Sequence, residues 1–259
     1  MKKVLLVAAL SLSCFAGAVL SAIPKAPKER LVKAIDLQPF FHTAHPWQVK
    51  IYQPVGENAE FGNRPVRVCF VKQGAKPYTD CTALFGGVPQ SDGRVLPLQT
   101  LDRADMEMLP SLDGGPGRPS LVVRATFAGG GAGELKGLYV WTEISSAHQG
   151  LFAQTFQSVI SQAGDQRFLK KGPLAGAFVA IDQVHEGNEA NMESPVRYQM
   201  SIYEPAPLGY VKVLSMLSEH RYPSNHTRDG LTDAIATLTP AMSRALKAVY
   251  PDGVAVLQR

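Results

Sequence analysis

The chain has 259 residues, of which 45 % are hydrophobic, 19 % charged and 8 % aromatic, and its formal net charge is +4. That composition is globular and lies away from the polar, highly charged make-up of disordered chains. Scattered basic residues and a charge this small give no electrostatic case for nucleic acid, and so few aromatic residues leave little material for the girdles of an outer-membrane barrel.

Met1, Lys2 and Lys3 open the chain and an uncharged run follows as far as Ala18, the order of a charged n-region and an apolar h-region in a secretory signal. Small residues allow a cut after Ala18 or after Ala22, and the return of Pro24 and Lys25 favours Ala22. The expectation is a signal peptide over 1–22, a short Pro/Lys linker over 23–30 and a β-rich domain over 31–259, located in the periplasm or cell envelope. Loss of Lys2 and Lys3 lowers the net charge from +4 to about +2. Two readings compete. An uncleaved anchor is one, because the apolar stretch approaches the roughly 20 residues that span a bilayer. A lipoprotein acylated at Cys14 is the other, although Ser11 and the apolar run continuing from Phe15 fit it poorly. No basic stop-transfer cluster follows, so no stable membrane span is expected in the mature chain.

Beyond the linker the apolar residues mostly recur with period two, which is the strand signature. Trp47, Val49 and Ile51 alternate with polar residues, as do Val66, Val68 and Phe70, with a turn over 56–64 between them. Residues 121–127 and 138–142 flank the glycine-rich run 129–133 and predict a long hairpin. A phosphate cradle would need a helix after those glycines, and a strand pattern follows instead. Further strands are predicted over 152–159, 175–181, 198–203 and 210–217. One helix is predicted near the C-terminus, with Thr239 as N-cap, Pro240 at the first helical position, a stripe of Leu238, Met242, Ala245, Leu246 and Val249, and a stop at 251–253. The fold class is therefore mainly β, antiparallel and β-sandwich-like, with a C-terminal α-helix.

Once Cys14 leaves with the signal, Cys69 and Cys81 form an even pair, which in an oxidising compartment predicts a disulfide. Their spacing is far from that of a CxxC redox or zinc motif. His42 and His45 are the closest histidine pair, and two imidazoles with a carboxylate can hold zinc. Pro46 follows at once and no third ligand is identifiable, which makes ordinary loop histidines the plainer reading. His220, Ser224, His226 and Asp229 crowd another loop, but no GxSxG elbow presents a nucleophile. Asp182, His185, Glu186, Glu189 and Glu193 form an acidic stretch without EF-hand spacing. Asp102, Asp105 and Glu107 read as surface charge. No catalytic residue and no cofactor is assigned.

Two segments match in pattern. Residues 47–54 and 198–205 both read aromatic, Gln, apolar, polar, Ile, Tyr, Gln or Glu, Pro, with Ala-Ile-Asp upstream (34–36, 180–182) and Val-basic-Val downstream (66–68, 211–213). This predicts two related β-units, 31–145 and 146–259. A folded exported chain with no reactive constellation is expected to be non-catalytic, binding another protein or an envelope polymer. The alternative is a metal-dependent periplasmic hydrolase using His42 and His45.

Overall fold

The computed structural model describes residues 28–55, 64–74, 76–89, 95–110, 117–129, 133–145, 150–161, 163–169, 174–184, 194–207, 209–223 and 229–249. The elements run β1 (Glu29–Asp36), α1 (Gln38–Phe41), β2 (Trp47–Pro54), β3 (Arg67–Lys72), β4 (Tyr78–Ala83), β5 (Phe85–Pro89), β6 (Val95–Pro97), β7 (Thr100–Leu109), β8 (Arg118–Gly129) and β9 (Gly133–Glu143). Then come β10 (Phe152–Ser161), β11 (Asp165–Phe168), β12 (Phe178–Val184), β13 (Arg197–Ala206), β14 (Gly209–Leu217) and α2 (Asp229–Val249). All pairings are antiparallel and build three meanders, ordered β1-β2-β3-β4, β10-β9-β8-β7 and β11-β12-β13-β14, beside a small β5–β6 ribbon.

The three meanders stack, and the stacking follows from which faces of each strand are apolar. In β8 and β9, Leu121, Val123, Ala125, Phe127, Tyr139 and Trp141 pack against Val49, Ile51, Val68 and Phe70 of the first sheet. The alternate residues Val122, Leu138 and Val140 join Phe156 and Ile160 against Phe178 and Ala180 of the third. A sheet buried on both faces needs continuous apolar runs, and 121–123 and 138–141 supply them. The third sheet buries its far face, including Ile181, Tyr198, Met200 and Ile202, under Leu231, Ala234, Leu238 and Met242 of α2. The result is a sandwich of three sheets closed on one side by a helix.

Helix α2 begins at Asp229, eleven residues before the predicted first helical position, and carries Pro240 in its interior. An interior proline costs about 3 kcal/mol relative to alanine. Each large buried side chain returns roughly 1.5–3 kcal/mol, and Leu231, Leu238 and Met242 are all under 5 % exposed. Burial of the stripe therefore outweighs the proline. The side chains of residues 245–249 lie outside the described set. Two other boundaries move as well. Strand β1 starts at Glu29, inside the expected linker, and β12 starts at Phe178 because 174–176 form a turn in which Gly176 has φ +91°.

Cys69 and Cys81 stand directly opposite each other in the β3–β4 ladder and are joined by a disulfide, with their Cα atoms 4.0 Å apart. Cys69 is buried, whereas β4 is an edge strand that buries little of its own surface. The bond staples a weakly packed edge to a core strand.

The two matching segments sit in equivalent registers. Asp36, Ile35 and Ala34 face Gln48, Val49 and Lys50 across β1–β2, and Asp182, Ile181 and Ala180 face Gln199, Met200 and Ser201 across β12–β13. Tyr52 opposes Arg67 and Tyr203 opposes Lys212, each cation lying over its tyrosine ring at 5.9 Å and 5.4 Å from the centroid. Their surroundings differ. The Trp47 face of β2 meets another sheet, while the Tyr198 face of β13 meets α2. The boundary at 145/146 falls between β9 and β10, which are paired.

Candidate functional site

One end of the sandwich carries an open cavity of about 570 Å³, walled by α1, the ends of β7 and β9, the start of β8 and the β13–β14 turn. Helix α1 is a single turn that the local sequence fixes at both ends. Pro39 suits the first turn, where an amide hydrogen has no partner to lose, and the Gln38 amide donates to Asp36 Oδ1 at 3.0 Å. The turn ends at His42, whose left-handed backbone (φ 49°) lets its amide donate to the Gln38 carbonyl at 2.9 Å. Leu37 and Phe41 anchor it in the core, and the Phe41 ring meets Phe152 edge-on at 5.0 Å. With those two buried, Phe40 and His42 face the cavity from the solvent side.

Across the cavity the strand ends supply Met108, Pro119 and Ile144. Met108 is 62 % exposed and Ile144 42 %. The apolar surface continues past the rim. The Ile144 amide donates to the Leu151 carbonyl at 2.8 Å, and Leu151 is exposed. Beneath it Gly150 (φ +76°) lies on the indole of Trp47, and exposed Tyr78 meets the same indole edge-on at 6.2 Å. Contiguous exposed apolar surface of this kind marks an interaction site more often than isolated apolar residues do.

Two charged groups line the cavity beside His42. Glu143 accepts from the Gly150 amide at 2.8 Å. Arg118 donates through Nη1 to the Pro207 carbonyl at 2.8 Å, tying β8 to the β13–β14 turn. Beside Arg118 a second, smaller cavity of about 20 Å³ adjoins Thr142, Thr155 and Tyr210, room for one water. Burial, and to a lesser degree the charge of Glu107, pushes the Tyr210 phenol up from its usual range.

Of the residues singled out in the sequence, His42 lines the cavity and His45 is exposed three residues away, with the Thr43 hydroxyl donating to the His45 carbonyl at 2.7 Å. Among the described residues no group of three or more His, Cys, Asp or Glu is placed to hold a metal, so the pair gains no third ligand there. Asp102 accepts from the Thr126 hydroxyl, Asp105 pairs with Arg103, and Glu107 pairs with Arg124 at 3.0 Å. These carboxylates have separate structural partners. Asp182 clamps β10 to β12, accepting from the Ser161 amide at 3.0 Å, the Ser161 hydroxyl at 2.6 Å and the Gln183 amide at 2.8 Å. Asp229 opens α2, and the His220 carbonyl accepts from the Ser218 hydroxyl. His185, Glu186, Glu189, Glu193, Ser224 and His226, the tip of the glycine run, most of the 56–64 turn and residues 1–22 lie outside the described residues.

Sequence reasoning missed Phe40, Met108, Arg118 and Ile144. Only the Phe40–Phe41 pair carried a signal, because neighbouring residues on a short turn cannot both point into one core. Comparison with protein-family models, with curated proteins and with solved structures gives no significant match.

Proposed function

We propose that this chain is an exported, non-catalytic binding module of the cell envelope, and that the cavity at the sandwich end receives part of another protein or of an envelope polymer. The open apolar cavity carries this reading. Its size lies within the roughly 300–1,000 Å³ of ordinary ligand sites, and a few polar groups converge on mainly apolar walls, as in such sites. Export is supported by the signal pattern over 1–22 and by a disulfide, which persists in oxidising compartments. The hydrolase alternative draws on one observation, the place of His42 on the cavity wall.

Purification of the mature protein from the envelope separates the two readings. The expected result is a mature chain beginning near Ile23, no stoichiometric zinc, and a co-purifying partner that is lost from the double variant Met108→Glu, Ile144→Glu. Stoichiometric zinc that disappears in a His42→Ala, His45→Ala variant would overturn the binding reading. We further propose that the β1–β3 and β12–β14 meanders descend from one duplicated three-stranded unit, a reading supported by the matching registers of β1–β2 and β12–β13 and by the paired cation–tyrosine contacts.

A further inference from the structure

Arg118, which lines the cavity, differs from the four arginines of the fold that are paired with acids. Arg67, Arg103, Arg124 and Arg167 each face a carboxylate, those of Glu29, Asp105, Glu107 and Asp165. Among the described residues no carboxylate pairs with Arg118, whose hydrogen bond runs to the Pro207 carbonyl through Nη1 alone. The guanidinium has five N–H donors in a planar fork, so this bond orients the group and leaves the other donors without a partner among the described residues. Around it stand Phe40, Met108, Pro119 and Ile144. A fork with no carboxylate partner among the described residues, set among apolar walls, is suited to a carboxylate flanked by apolar groups, because a charge-assisted, two-pronged hydrogen bond strengthens as water is displaced. The cavity's own carboxylate, Glu143, is already bonded to the Gly150 amide.

We propose that the groove binds a segment of a partner protein in which an Asp or Glu side chain lies between apolar side chains, with the acid on Arg118 and the apolar neighbours against Met108, Ile144 and Phe40. The extent of the surface selects a protein segment over a single-chain amphiphile. Apolar exposure continues from Ile144 to Leu151, which is 57 % exposed and lies outside the cavity lining, so it runs beyond the cavity that one acyl chain would fill. This inference rests on the binding reading above and adds the chemistry of the partner.

The test is selection of a random dodecapeptide library displayed on phage against the immobilised mature protein, with counter-selection on the Met108→Glu, Ile144→Glu double variant. Thermal melts of all variants confirm folding, and Arg118→Lys provides a charge-retaining control. Peptides that bind wild type and not the double variant should be enriched in Asp or Glu flanked by apolar residues. Their binding should weaken roughly tenfold or more in Arg118→Ala and fall with added salt, with Arg118→Lys recovering part of the loss. Groove-dependent peptides without acid enrichment, or indifferent to Arg118→Ala, would overturn the acidic-segment inference and leave the binding reading standing. Recovery of no groove-dependent peptide would overturn the protein-segment inference and leave an envelope polymer as the occupant under the binding reading. Micromolar binding of decanoate that is lost in Arg118→Ala, with no such peptides recovered, would assign the site to free amphiphiles and overturn the proposal.

Discussion

Replacing Gly150 by alanine probes the joint between the candidate groove and the core. Gly150 has φ +76°, and a Cβ built there falls well inside contact distance of Trp47 Nε1 and 2.7 Å from its Cδ1. The ring cannot yield easily, because Phe152 lies 5.4 Å and Tyr78 6.2 Å from it. Two costs therefore add: roughly 1–2 kcal/mol for a side chain in left-handed backbone and about 1–3 kcal/mol for overpacking. Gly74 is the control, since it also has positive φ (+119°) but nothing lies within 4 Å of its Cβ position, so Gly74→Ala carries the backbone cost alone, about 1–3 kcal/mol. Urea unfolding followed by tryptophan fluorescence would give both values. Gly150→Ala is expected to lose more stability than Gly74→Ala, by about 2 kcal/mol, equivalent to roughly 4–8 °C in Tm for a chain of this size. Equal losses would refute the claim that Gly150 is required by its packing on Trp47.

Reducing the Cys69–Cys81 bond, or replacing both cysteines by alanine, should cost roughly 3 kcal/mol for a loop of this length; an unchanged urea midpoint with and without reductant would count against the staple. Pro240→Ala should raise the melting temperature, because the proline sits exposed inside α2 and its replacement relieves about 1–3 kcal/mol of helix penalty. A neutral result would instead fit a helix that begins at Pro240. Burial raises the phenols of Tyr139, Tyr198 and Tyr210, so the folded state holds these protons to higher pH than the unfolded state. Their contribution to stability is complete below about pH 10, the unfolded tyrosine value, and declines as pH rises through the folded values. Tyrosinate absorbance should therefore show these three ionising together with loss of near-UV circular dichroism. Ordinary titration of every tyrosine in an intact fold would disprove this.

The alternation of Trp47, Val49 and Ile51 and of Val66, Val68 and Phe70 was sufficient to predict the β2–β3 hairpin, since side chains of a strand alternate between two faces whatever covers them. Residues 121–127 and 138–142 predicted a hairpin, while its burial on both faces emerged only from the packing of three sheets, and the cysteine count pointed to the Cys69–Cys81 bond. Burial decided what local pattern could not. Pro240 reads as a helix start because propensity is local, yet α2 continues through it because Leu231 and Ala234 meet the third sheet. The groove was hidden for the same reason. Met108 and Arg118 lie on neighbouring strands and Phe40 comes from far upstream, so no window of sequence holds them together. The matching segments 47–54 and 198–205 show where the limit falls. Their pattern predicted the antiparallel pairing of the second and third strands in both places, because that depends on alternation and turn length. Whether the inward face met a second sheet, as at Trp47, or a helix, as at Tyr198, depended on apolar surface contributed by distant parts of the chain, and only the tertiary structure decided it.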